Sequence, residues 1–200
     1  MNERWVVLDV ESSGLDAKRD RLLAVAAVGV HLRGDVLRIV LGDSFETVLR
    51  QAAPVADKAN ILLHGIGVGA QREGRPPEEA LAALERWVGD APLIAFHAAF
   101  DRTMVERAMR GALGRQLPNR WIDLEDVAAV LRPEERARSL DEWMAAFGVT
   151  CLVRHQAAAD TLATAELLLK LWPLARRQMK APGFDGLRRL TRFRRWLPRA

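Results

Sequence analysis

The stretch RWVVLDVESSGLD, residues 4 to 16, decides the fold class. Residues 4 to 10 are rich in β-branched and apolar types, and ESSGLD is turn chemistry, so a buried strand running into a loop is expected, with Asp9 at its end. Two further apolar runs follow, at 22 to 32 and 35 to 43, and the RGD between them suits a hairpin turn at Gly34-Asp35. Three meandering antiparallel strands therefore come first.

Downstream, strands alternate with helices. VADKANILLHG (55 to 65) has a helical pattern with Gly65 as its stop, and PPEEALAALERWVGD (76 to 90) opens on prolines and glutamates, repeats apolar residues at Leu81, Leu84 and Val88, and meets Gly89. PLIAF (92 to 96) reads as a short strand before the helix FDRTMVERAMRGAL (100 to 113), and RWIDL (120 to 124) as another strand. Ser139-Leu140-Asp141-Glu142 forms a capping box, since the Ser hydroxyl and the Glu carboxylate can satisfy each other's backbone donors. An Ala/Leu helix covers 157 to 171 and is expected to stop at Pro173; a short basic helix is expected near the end, with Leu187, Leu190, Phe193 and Leu197 on one side. This order implies an α/β fold, a ribonuclease H-like mixed sheet of three antiparallel strands and then parallel ones, flanked by helices.

At 200 residues the chain suits one core. The division expected is a folded domain over 1-175 and a basic C-terminal tail over 176-200, with at most a short helix in it. Cys151 is the only cysteine, which excludes an intramolecular disulfide, and no Cys/His spacing resembles a zinc site. The N-terminal apolar stretch is too short for a signal sequence and no apolar run is long enough to cross a bilayer, so a cytoplasmic location and no membrane partner are expected. The net charge of +4 conceals an asymmetry: from Lys170 onward there are ten Lys or Arg against the single acid Asp185, so the remaining body is net acidic. An acidic body with a basic tail suits a protein that gathers cations in a site and polyanions along an edge, although a solvated helix face would carry the same charges.

Asp9 and Glu11 lie two apart on a strand, so both carboxylates project from one face and can share a hard cation such as magnesium or manganese. Asp-x-Glu alone is weak, but further acids follow a strand at His97-Ala98-Ala99-Phe100-Asp101 and lead into a helix at His155-Gln156-Ala157-Ala158-Ala159-Asp160. DVESSGLD, LIAFHAAFD and RHQAAADTLATAELLL resemble, in order, the three motifs of the DEDDh family of 3′-5′ exonucleases. HGI (64 to 66) and SLDEWMAAFGV (139 to 149) are similar to connecting segments of the proofreading epsilon subunits of bacterial DNA polymerase III.

The resemblance, which spans residues 4 to 172, implies metal-dependent hydrolysis of nucleic acid from the 3′ end to nucleoside 5′-monophosphates. It implies two divalent ions, Mg2+ or Mn2+, held by Asp9, Glu11, Asp101 and Asp160, with His155 as the base that takes a proton from water. It assigns the terminal nucleotide to Ser12, Ser13, Gly14 and Leu15, and further substrate contacts to His64 and Ile66; simple packing explains Leu15 and Ile66 equally well. Single-stranded DNA or DNA 3′ ends are the expected substrate, with RNA as the alternative under the same chemistry and a catalytically idle nucleic-acid-binding module as the competing class. A DNA polymerase or another replication or repair protein is the expected partner. Ala98 and Ala59 depart from the family pattern at positions that usually carry Asn and an acid, which touches substrate grip and no metal ligand.

Overall fold

A computed structural model describes the backbone of residues 2–196 and the side chains of residues 2–194. The opening apolar run forms β1 (Asn2–Ser12), whose Trp5, Val6, Val7 and Leu8 are fully buried. Burial on both faces explains why the run is continuous rather than alternating. Odd positions Trp5 and Val7 pack into one core and even positions Val6, Leu8 and Val10 into another, because side chains alternate along a strand. β2 (Leu22–Arg33) and β3 (Val36–Val48) complete the antiparallel meander through a turn in which Gly34 takes a positive φ. In the β1/β2 register Asp9 lies opposite Ala26 and Glu11 opposite Ala24.

β3 outruns its sequence-predicted end at residue 43 because a bulge interrupts its pairing. Val28 pairs with Ser44 while Gly29 pairs with Val40. The Asp43 carboxylate takes the space a side chain at Gly29 would fill, and is held there by Arg4 Nε at 2.6 Å and His31 Nε2 at 2.8 Å.

The rest of the chain runs α1 (Lys58–His64), α2 (Val68–Glu73), α3 (Pro77–Val88), β4 (Leu93–Ala95), α4 (Ala98–Leu113), β5 (Trp121–Asp123), α5 (Leu124–Leu131), α6 (Leu140–Phe147), α7 (Ala157–Gln178) and α8 (Phe184–Thr191), with a 3-10 turn at Arg192–Trp196. The sheet order is β3-β2-β1-β4-β5, with β4 and β5 parallel to their neighbours. This is the ribonuclease H-like mixed sheet expected from the sequence. Helices α3 and α4 cover the face of Val6 and Leu8, and α5 to α8 that of Trp5 and Val7. The capping box on α6 is present, with Ser139 and Glu142 each bonded to the other's backbone. Helices α2 and α5 went unforeseen.

One helix boundary is corrected. Pro173 lies inside α7, which continues to Gln178. Proline removes one backbone donor and crowds the preceding turn, but Leu171, Trp172 and Ala175 on either side are buried. Trp172 Nε1 donates to the Asp35 carbonyl at 2.9 Å, and Trp172 meets Trp5 edge-on at 5.4 Å. Tertiary packing outweighs the local penalty.

Part of the basic C-terminal segment is built into the body. Phe184, Leu187 and Leu190 of α8 are buried in the core of Trp5, and the Phe184 amide donates to Glu3 Oε2 at 3.0 Å. Phe193, expected on the same apolar side, is 58% exposed. Leu197 and Arg199 lie outside the described residues, as do the side chains of Arg195 and Trp196. No described helix is long and apolar enough to cross a membrane.

Candidate metal centre

Asp9 and Glu11 continue the odd-numbered face of β1, the face that α7 covers, and α7 carries Asp160 in its first turn. Thr161 Oγ1 donates to the carbonyl of Ala26 at 3.2 Å. Ala26 is the register partner of Asp9, so this bond fixes the height of Asp160 against Asp9. One carboxylate oxygen from each of Asp9, Glu11 and Asp160 then lies within 4.8 Å of the others.

Asp101 enters from a different direction. After β4 the chain turns through His97, whose left-handed backbone (φ 59°) aims α4 across the sheet, and the His97 amide donates to Asp123 Oδ1 at 3.1 Å. Asp123 also caps α5 by accepting from the Glu125 amide at 3.0 Å. Asp101, in the first turn of α4, is buried and outside the convergent group of three, but close enough to raise the pKa of Asp9.

His155 is exposed and precedes α7 in a second left-handed turn, φ 61°. Among the described residues, His97 and His155 are the non-glycine positions with positive φ. Such a conformation is uncommon without glycine and is retained where surrounding structure imposes it. Here the His155 amide donates to Asp160 Oδ2 at 3.1 Å, binding the histidine turn to the acid.

The electrostatics are those of crowded anions. Burial, followed by the charges of Asp101, Asp160 and Glu11, lifts Asp9 well above the usual carboxylate range. Burial and Asp160 push Glu11 up to about 7. Burial, then Asp123 and Glu11, push Asp101 up to about 8, against hydrogen bonds from backbone amides. Burial and Asp126 raise Asp123 to about 6. The charge that opposes this at Asp9 and Glu11 is Arg154, whose guanidinium donates to Asp160 Oδ1 and, through Nε, to Asp141. Three converging carboxylates with a single guanidinium against them fit a hard divalent cation, for which all-oxygen donor sets are suited.

Beside the acids, the loop after β1 is tied down from within and from below. Ser12 Oγ donates to the Gly14 carbonyl at 2.6 Å, and Ser13 Oγ donates to Asp20 Oδ1 at 3.1 Å. Asp20 Oδ2 also accepts from the Asp16 amide at 2.8 Å. A side chain at Gly14 would strike the Asp20 carboxylate, its Cβ lying 2.5 Å from Oδ2. Arg107 of α4 reaches across to donate to the carbonyls of Ala17 and Asp20. Leu15 stands 92% exposed at the tip.

His64 is buried, and burial lowers its pKa, so it is neutral. Its Nδ1 accepts from the Ile66 amide at 3.0 Å, which places the proton on Nε2, and Nε2 has no partner among the described residues. Ile66 is buried against Leu23 and Ala24. Asn60 Nδ2 donates to the Ser12 carbonyl at 3.1 Å and so joins α1 to the loop.

Sequence reasoning passed over Arg154 and Arg107. Arg154 stood inside the quoted motif, and a base next to an acid cluster is the signal that could have marked it. Arg107 carried no local signal, since its partners lie about 90 positions away.

The profile of the RNase_T family, described as Exonuclease, matches residues 6–168. The chain is 31% identical over 170 residues to the PolC-type DNA polymerase III of Bacillus cereus and 31% identical over 171 residues to that of Bacillus subtilis. Each match covers 84% of this chain and 11% of the polymerase. The chain thus spans about a tenth of the length of these relatives. Among solved structures, a structure of exonuclease I superposes with a TM-score of 0.69 at 19% identity, covering 88% of this chain and 44% of that one. E. coli exonuclease I in complex with a dT13 oligonucleotide gives 0.68 at 17% identity, covering 88% and 42%. The zinc-bound form of the E. coli exonuclease I complex with single-stranded DNA gives 0.66 at 18% identity, covering 88% and 43%.

Proposed function

Because the chain belongs to the exonuclease family, we propose that it hydrolyses nucleic acid from the 3′ end to nucleoside 5′-monophosphates, with single-stranded DNA or DNA 3′ ends as substrate. The observation that carries this reading is the convergence of Asp9, Glu11 and Asp160 within 4.8 Å. Two divalent ions, Mg2+ or Mn2+, when bound, supply a polarised phosphate and a water of lowered pKa. Asp9, Glu11 and Asp160 would hold them, with the buried Asp101, whose charge raises Asp9, as the fourth acid of the set.

His155 sits exposed at the mouth of the cluster, tied through its amide to Asp160, and takes the proton from the attacking water. The water oxygen bonds to phosphorus. The 3′ oxygen of the penultimate nucleotide leaves with the bonding pair and takes up a proton, freeing a nucleoside 5′-monophosphate. Ser12, Ser13, Gly14 and Leu15 receive the terminal nucleotide: the Asp20 carboxylate packed against Gly14 holds the loop in place, and the exposed Leu15 lies against the base. His64, whose buried Nε2–H has no partner among the described residues, and Ile66 beside it are the further residues assigned to substrate.

The DNA oligonucleotide complexes of the structural neighbours and the polymerase relatives support DNA and a replication or repair partner. The catalytic set falls within 1-175, and α8 of the basic segment 176-200 is packed into the same core. Digestion of end-labelled DNA and RNA oligonucleotides in parallel, with magnesium, manganese or chelator, tests polarity, sugar preference and metal need together. Ladders shortening from the 3′ end of DNA, abolished by chelator, are expected. Faster shortening of RNA overturns the substrate assignment, and activity in chelator overturns the metal role.

A further inference from the structure

Arg154 is the positive side chain set among the acids. Its side chain is 21% exposed, and its guanidinium spans two carboxylates, Asp141 through Nε and Asp160 through Nη1. Asp160 therefore has both oxygens engaged, Oδ1 by Arg154 and Oδ2 by the His155 amide. A cation shared with Asp9 and Glu11 takes a remaining lone pair on Asp160 and meets the guanidinium as a like charge on the same carboxylate; the partner able to withdraw is Arg154, since the other bond comes from backbone. Asp141 is more than half exposed, so it can keep hold of the guanidinium after Asp160 lets go.

We propose that Arg154 is a tethered counter-cation that holds Asp160 in the metal-free protein and competes with the incoming divalent ion, so that it sets the affinity of the metal site. The proposal rests on the assignment of Asp9, Glu11 and Asp160 as metal ligands. Two consequences follow from the charges. Without metal, Arg154 relieves the repulsion that raises Asp9 and Glu11, so the fold depends on it most when no ion is bound. With metal, the guanidinium on Asp160 repels the incoming ion and shares the charge that would hold it, which weakens ion binding. A charge-assisted bond of this kind is worth enough to change a dissociation constant by about tenfold or more. Displacement of Arg154 also loosens one end of the turn that presents His155, coupling metal entry to the placement of the base.

The test is calorimetric titration of Mn2+ alone into wild type, Arg154→Gln and Arg154→Lys, with thermal melting of each in chelator and in Mn2+. Arg154→Gln is expected to bind Mn2+ about tenfold more tightly than wild type, to melt lower in chelator, and to show a larger rise in melting temperature on adding Mn2+. Arg154→Lys keeps the charge but loses the planar fork that bridges two carboxylates, and is expected to fall between them. It also keeps the test open should the Gln variant fail to fold. A merely structural arginine predicts the opposite sign, since its loss would loosen the site and weaken metal binding. Unchanged or weaker binding in the folded variants, alongside a wild type that binds Mn2+, overturns the inference and leaves the ligand assignment standing. A wild type that binds no Mn2+ overturns both.

Discussion

Replacing Asp9 by Asn keeps the shape of the side chain and removes one charge from the most crowded point of the site. At the 4.8 Å limit that bounds the ligand oxygens, two full charges repel by about 3.5 kcal/mol at an effective dielectric of 20. Arg154 offsets part of this and partial protonation more, so a net gain of about 1 to 3 kcal/mol is expected for Asp9→Asn in chelator. For a chain of this length that raises the melting temperature by roughly 2 to 10 °C. Metal reverses the order. Wild type at a hundredfold excess of ion over Kd gains about 2.7 kcal/mol, whereas the variant, having lost a ligand, gains little and turns over no substrate. Melting curves of both proteins in chelator and in Mn2+ should therefore cross. The pH dependence has a definite sign. Glu11 and Asp101 titrate in the folded protein near 7 and 8, well above the unfolded values near 4, so the native state holds more protons through that window. Metal-free wild type is accordingly most stable at the acid end and loses stability as pH climbs from 4 to 8. The advantage of Asp9→Asn should grow over the same range. A variant less stable than wild type in chelator, with an undiminished response to Mn2+, would refute the electrostatic account.

His155→Ala should lower kcat by about 10² to 10⁴ while Mn2+ binding by calorimetry is retained, and the ascending limb of the pH profile should disappear with it; loss of activity through metal affinity alone contradicts the base role. Arg107→Ala should raise KM with little change in kcat, because it frees the carbonyls of Ala17 and Asp20 while leaving the acids in place; Arg107→Lys should recover part of the loss, and a fall confined to kcat would assign Arg107 elsewhere. Exchange of Arg188, Arg189 and Arg192 together for Gln should reduce the log-log salt slope for single-stranded DNA by about 2, at roughly 0.7 for each phosphate contact. Turnover at saturating substrate should be preserved, and an unchanged slope removes this surface from the DNA path.

The fold was legible where one physical rule acted locally. The turn at Gly34-Asp35, the proline and glycine that bracket α3, and the Ser139–Glu142 capping box each depend on a few adjacent residues, and all three appear where the sequence put them. The failures lie where distant packing decided the outcome. Pro173 reads as a stop by every local rule, yet Trp172 and Ala175 are held in the core by Trp5 and α8, and the helix runs on. Likewise LRRLTRFRRWL showed its apolar face, but nothing local revealed that Phe184 and Leu187 close the core over Trp5, more than 170 residues away. Truncation after Met179 would for that reason remove core as well as charge, and substitution of arginines is the cleaner probe of binding.

The same division runs through the site. Strand periodicity placed Asp9 and Glu11 on one face, and motif order brought in Asp160. What no periodicity could supply is the charge balance, which depends on side chains meeting from three elements. Asp101 belongs to the acids in sequence, yet it lies outside their convergent group and acts on Asp9 from a buried position. Arg154 belongs to them in space, although no ligand motif requires a base there. A site that must gather cations from water cannot be left as bare repulsion in their absence, because raised carboxylates draw on the stability of the fold. An arginine tethered at the rim answers that need reversibly: it neutralises Asp160 when the site is metal-free, and Asp141 can receive it when an ion arrives. The left-handed turn at His155 is tied to the same carboxylate. Occupancy of Asp160, by guanidinium or by metal, would then link the charge of the site to the position of the proposed base.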